Sequence, residues 1–115
     1  MVQNTIAPYP PSETNELRMN HRMSENTIYV GMKPAMNYVT AIITSFKENP
    51  ESVVVRARGR AISNAVDAAE ITRNRFLSGL TCEVSIGTEK MEQENGDTRN
   101  VSTIAITLRK SHEAD

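Results

Sequence analysis

The chain has 115 residues, 38% of them hydrophobic, and a formal net charge of -1, which suits one domain with one modest core. That balance gives no global attraction to a polyanion, so a nucleic-acid partner would have to be held by where the charges sit. No apolar run is long enough for a transmembrane helix, and the N-terminus lacks the apolar centre of a signal peptide.

In chain order, residues 1–25 stand apart. Pro8, Pro10 and Pro11 lie among Ser, Asn, Thr and Glu with no period of 2 or 3.6, which reads as a flexible N-terminal extension. Met23-Ser24-Glu25-Asn26 looks like an ordinary protein start, so the preceding residues are either an upstream extension or a misassigned start. The patterned region covers 26–110, and 111–115 form a short tail.

Thr27 to Val30 is a β-branched and aromatic run, hence a short strand that Gly31 ends. Pro34 suits the first turn of a helix, where its missing N–H costs nothing. Met36, Val39, Ile42, Ile43 and Phe46 then recur at helical spacing, and Asn49-Pro50 stops the helix. Ser52 to Arg58 is a second strand, with Val53, Val55 and Ala57 facing a core and Val54, Arg56 and Arg58 facing away. Gly59 allows a sharp turn, and Ile62, Ala65, Val66 and Ala69 stripe a second helix that Phe76 closes and Ser78-Gly79 terminates. Cys82, Val84 and Ile86 alternate, as do Ile104, Ile106 and Leu108; Asn95-Gly96 between them signals the tip of a long hairpin. The order β-α-β-α-β-β predicts an α+β, two-layer fold. Two helices pack on one face of a four-stranded mixed sheet, and the C-terminal hairpin extends as an arm.

Two corners invite an anion. Gly31-Met32-Lys33-Pro34 puts a cation at a helix N-terminus, where free N–H groups and the helix dipole favour negative charge, although the glycine spacing is not that of a Walker loop. Arg56, Arg58 and Arg60 form the second; Arg56 and Arg58 share one strand face, and planar guanidinium donors suit phosphate oxygens. The bland alternatives are a solvated lysine at a helix start and a charged strand face paired with Glu51, Asp67 or Glu70. Asn37 and Tyr38, one turn into the first helix, offer an amide and a stackable ring, or simply a surface Asn and a part-buried Tyr. Arg73 and Arg75 complement the dipole at the end of the second helix. The arm is less hospitable: Lys90 and Arg99 there face Glu89, Glu92, Glu94 and Asp97. Cys82 is the single cysteine, which fits a reducing compartment, and His21 and His112 lie outside the patterned region. No catalytic pair, metal site or cofactor is therefore expected.

GMKPAMNYV resembles the glycine-lysine-lysine-proline-x-methionine-asparagine-tyrosine segment of the Alba family of archaeal chromatin proteins. VRARGRAISNAVDAAEITRNRF resembles that family's most recognisable stretch, and VSTIAITLRK its last strand. The resemblance implies a cytoplasmic, chromosome-associated homodimer that binds double-stranded DNA, and in many members RNA, with little sequence preference. It implies that Lys33, Arg58 and Arg60 contact the backbone, with Asn37 and Tyr38 keeping their family types and Arg56, Lys90 and Arg99 assisting. Phe76 matches an aromatic used between dimers on DNA, and the hairpins match arms laid along the minor groove. Two departures stand out. Met32 replaces the first loop lysine, so regulation by acetylation cannot operate there, and the arm tip is acidic. Fewer phosphate contacts mean weaker binding with a smaller salt dependence. Other roles stay open: an RNA or ribonucleoprotein role, sequence-preferring DNA binding, or a protein-interaction module with weak nucleic-acid affinity. A phosphoryl-handling enzyme lacks a clear nucleophile.

An intact-mass measurement on native material tests the N-terminal extension: a mass matching all 115 residues excludes a start at Met23.

Overall fold

The computed structural model describes residues 26–111; the N-terminal extension and the last four residues of the tail lie outside them. The elements are β1 (Asn26–Tyr29), α1 (Ala35–Glu48), β2 (Ser52–Arg58), α2 (Ile62–Ile71), β3 (Leu80–Glu92) and β4 (Thr98–Lys110). A 3-10 turn, Gly59–Ala61, leads into α2, and a π-helical turn, Thr72–Phe76, leads out of it. The sheet order is β1-β2-β4-β3, with β1 parallel to β2 and the other pairs antiparallel. The mixed four-stranded sheet with two helices is thus the predicted fold.

Register assigns the two sheet faces. Val53 pairs with Leu108, Val55 with Ile106 and Ala57 with Ile104, and these six, all buried, form the floor under the helices. Val39, Ile42 and Phe46 of α1 pack onto it. The second helix contributes small residues instead: Ala61, Ala65, Ala68 and Ala69, each at most 1% exposed. Alanine at helical spacing lets a helix lie close to a sheet with little side-chain entropy lost. Thr72 continues the stripe, fully buried, its hydroxyl donating to the Ala68 carbonyl at 2.8 Å.

Three expected core positions fall elsewhere. Met36 and Val66 are exposed because the stripes run through Val39 and Ile42 on α1 and through Ala61, Ala65 and Ala68 on α2; the 3-10 entry to α2 brings Ala61 into line. Phe76, half exposed, leaves the core as the chain widens into the π-turn, where the Leu77 N–H reaches back to the Thr72 carbonyl at 2.8 Å. Val54 does face away from the helices, yet it is buried, lying between Thr27 and Thr107 in register.

The ends of elements follow from local chemistry. Pro34 precedes α1 in an extended conformation, and Asn49 ends it at φ -138°. The Asn26 side chain donates to the Ser45 carbonyl at 3.2 Å, tying the start of β1 to the last turn of α1. Gly59, at φ +60°, sits where a side chain would be strained, and it makes the turn from β2 into the 3-10 segment.

The pairing of β2 ends at Arg58↔Thr103, but β3 and β4 stay paired out to Glu92↔Thr98. Beyond the body the hairpin is therefore a two-stranded ribbon. It closes through Glu94-Asn95-Gly96, with Gly96 at φ +90° and the Gln93 N–H bonded to the Asp97 carbonyl at 2.7 Å. The ribbon accounts for the long axis of 55 Å and the radius of gyration of 15.0 Å, against roughly 12 Å for a compact chain of this size.

Leu108, fully buried at the centre of the floor, gives the sharpest test of this core. Leu108→Ala is expected to lower unfolding stability by about 2–5 kcal/mol, read from urea denaturation midpoints.

Candidate nucleic-acid interface

The parallel pairing of β1 with β2 brings their C-terminal ends together: the Val30 N–H donates to the Arg56 carbonyl at 2.8 Å. The Gly31–Pro34 loop and the Gly59–Ala61 turn consequently leave the sheet side by side. Asn64, in the first turn of α2, bridges them. Its amide donates to the Gly31 carbonyl at 2.9 Å and the Lys33 carbonyl at 2.7 Å. From the other side, the Tyr38 hydroxyl oxygen accepts from the Gly31 N–H at 2.9 Å and the Lys33 N–H at 3.3 Å. The lysine loop is thus pinned through its backbone from two helices, while the Lys33 side chain stays exposed.

Tyr38 itself is half-buried against the core. Its hydroxyl is committed to the loop, so its structural part is to hold Lys33. Asn37 is exposed beside it. The sequence marks Asn64 only as a polar amide two residues after the RGRAI segment, and its partners lie 31 and 33 residues away.

The three arginines go three ways. Arg60, in the 3-10 turn at the entrance to α2, is exposed next to the pinned loop. Arg56 lies on the sheet face opposite the helices and lines a shallow groove with Val54, Glu83, Ser85, Ala105 and Thr107. Arg58 lies on that same face but is covered, its side chain only 12% exposed and its Nη1 3.6 Å from Glu89 Oε1. The carboxylate of this pair comes from the hairpin, far along the chain, rather than from the local acids weighed in the sequence. Arg73 pairs with Glu70 at 3.6 Å, in keeping with a local role at the helix end.

Lys90 and Arg99 are both exposed on the ribbon but lie on different faces of it. Lys90 pairs with Asn100 and Arg99 with Met91, which puts them on opposite faces. Exposed Lys33, Asn37 and Arg60 gather at the strand-to-helix corners, whereas Arg56, Arg58 and Arg99 share the open sheet face.

The sequence pattern of the Alba family matches residues 26–86. The chain belongs to the Alba family. It is 51% identical over 89 residues to DNA/RNA-binding protein Alba 1 of Archaeoglobus fulgidus, across 76% of this chain and 99% of that protein. It is 47% identical over 91 residues to DNA/RNA-binding protein Alba of Methanocella arvoryzae, across 78% of this chain and 95% of that one. The solved structure of Alba from Thermoplasma volcanium matches with a TM-score of 0.69 at 46% identity, covering 74% of this chain and 100% of that chain.

Within the Alba fold, Met32 is a marked feature of this chain's loop: the residue is 60% exposed, immediately before Lys33, on a backbone held by Tyr38 and Asn64. The loop thus presents one cation and one thioether to a partner.

Tyr38→Phe removes the shared acceptor of the loop. The Gly31 and Lys33 amides are expected to exchange faster with solvent, with a stability loss of about 1 kcal/mol; hydrogen exchange by NMR reads the first and chemical denaturation the second.

Proposed function

We propose that the chain is a homodimeric nucleic-acid-binding protein of the chromosome in the cytoplasm. It holds double-stranded DNA, and RNA, by the sugar-phosphate backbone with little sequence preference. The observation that carries this is the juxtaposition of two exposed cations, Lys33 and Arg60, at adjacent helix entrances braced by Asn64. A phosphate there meets positive side chains and the amides of helix N-termini together. Backbone contacts of this kind carry no sequence information, which fits little sequence preference. The naming of relatives as DNA/RNA-binding proteins supports the same assignment. Catalysis has no part in it.

What the helices leave bare supports dimerisation. Val84 and Ile86 lie in register with Ile106 and Ile104, on the helix side of the sheet, yet they are 57% and 80% exposed. They sit on the edge strand β3, beyond the reach of both helices. A second copy covering this apolar strip would remove it from water and double the cationic corners on one surface. Phe76, 50% exposed, is then available for contact between neighbouring dimers.

The charge distribution sets the strength. The patterned region, 26–110, holds 11 basic and 9 acidic groups, and the arm tip is acidic, so few phosphates are neutralised per dimer. Wild-type binding is expected to show a shallow salt dependence. Lys33→Ala with Arg60→Ala is expected to weaken binding by at least about tenfold for unrelated DNA and RNA sequences alike. With two phosphate-binding side chains removed from each protomer, the slope of log K against log salt falls by roughly 3–4. Fluorescence anisotropy across a salt series measures both, and unchanged affinity in a folded double variant would end the proposal. Ile86→Asp is expected to halve the mass seen in sedimentation, because it places a charge in the proposed apolar contact.

A further inference from the structure

We infer that Arg58 is a positioning residue: it braces the hairpin arm against the body and leaves the phosphate contacts to Lys33 and Arg60. This assignment rests on the nucleic-acid function proposed above. Arg58 is the last residue of β2 and pairs with Thr103 of β4, which in turn pairs with Gly87 of β3. Past that level the hairpin has no third strand. The guanidinium nonetheless reaches β3, with Nη1 3.6 Å from Glu89 Oε1 and 3.6 Å from Met91 Sδ. Because β4 lies between β2 and β3, the side chain crosses one whole strand. It lands on the first two open-face positions of the ribbon beyond Gly87.

The root of the ribbon is packed at the same level. Val101, in register with Glu89, is only 4% exposed on an otherwise exposed stretch of arm, and its Cγ1 is 3.6 Å from where a Cβ at Gly59 would stand. An isolated two-stranded ribbon is marginally stable and has little to fix its angle. A diagonal ion pair spanning two strand spacings, set beside a buried valine, supplies that restraint.

The same geometry makes Arg58 a poor phosphate ligand. Its side chain is 12% exposed, while Lys33 and Arg60 stand open. A phosphate would have to displace a carboxylate already in place, so the net gain is small. The two roles give opposite signs for one substitution. If Glu89 merely masked a phosphate-binding arginine, removing its charge would strengthen binding. If the pair is a brace, removing either partner loosens the arm and weakens binding only where the arm is used.

The test uses the full chain with Arg58→Ala, Glu89→Gln and the double variant. Backbone hydrogen exchange at 88–92 and 98–102 is read without nucleic acid. Anisotropy is read with two duplexes, one long enough to meet the arms and one that reaches only the body. The brace predicts several-fold faster exchange in each single variant and little more in the double. It predicts a few-fold loss of affinity for the long duplex alone, with the salt slope kept. The inference is overturned if ribbon exchange stays at the wild-type rate, if Glu89→Gln tightens binding, or if Arg58→Ala lowers the salt slope by about 2, the value for one phosphate partner removed per protomer in a dimer. Should Arg58→Ala fail to fold, Glu89→Gln carries the same test, since Glu89 is about half exposed. If Lys33→Ala with Arg60→Ala leaves affinity unchanged, the nucleic-acid function fails, while the exchange data still decide the brace.

Discussion

The parallel pairing of β1 with β2 is the constraint on which the rest of this molecule depends. Parallel neighbours must both hand the chain to a helix at the same end of the sheet, so two helix entrances, each with its unsatisfied N–H groups, emerge side by side. Lys33 and Arg60 are cations placed at those entrances, and Asn64 converts proximity into a fixed arrangement by bonding two carbonyls of the neighbouring loop. Tyr38 completes the hold from α1. The buried part of the protein thus dictates where the exposed cations stand.

The second governing feature is incomplete coverage. Two helices floor themselves on β1, β2 and β4, and the alanine stripe draws α2 close to the sheet. Neither reaches the outer strand, so the same alternation that buries Ile104 and Ile106 leaves Val84 and Ile86 in water one strand away. An apolar strip on an edge strand is a liability for a solitary chain and a ready contact for a second copy.

The use of charge follows from the same geometry. A net charge of -1 leaves no surplus of cations, and the fold sets its arginines to different tasks. Arg60 is open, Arg56 lines the groove on the free sheet face, and Arg58 is drawn across β4 to the hairpin. Three residues that look equivalent in an alternating run thereby acquire three environments. The acidic Glu89, which seemed only to repel a polyanion, has a partner inside the protein.

Residue patterns by themselves determined the element order, both helix ends at Asn49-Pro50 and Ser78-Gly79, the hairpin turn at Asn95-Gly96 and the placing of cations at two strand-to-helix corners. These depend on local preferences: proline without an N–H, glycine at positive φ, and apolar residues at period 2 or 3.6. Tertiary structure alone decided the rest, because it turns on distances between residues far apart in sequence. Periodicity marks an apolar face but not whether another element lies over it, so Met36 and Val66 read as parts of the helix stripes yet are exposed, and the alternation of Val84 and Ile86 left open that no helix covers them. An alternating strand shows which side chains share a face but not which carboxylate comes within reach, so the Arg58–Glu89 pair and the Asn64 bridge appeared only when the chain had closed on itself.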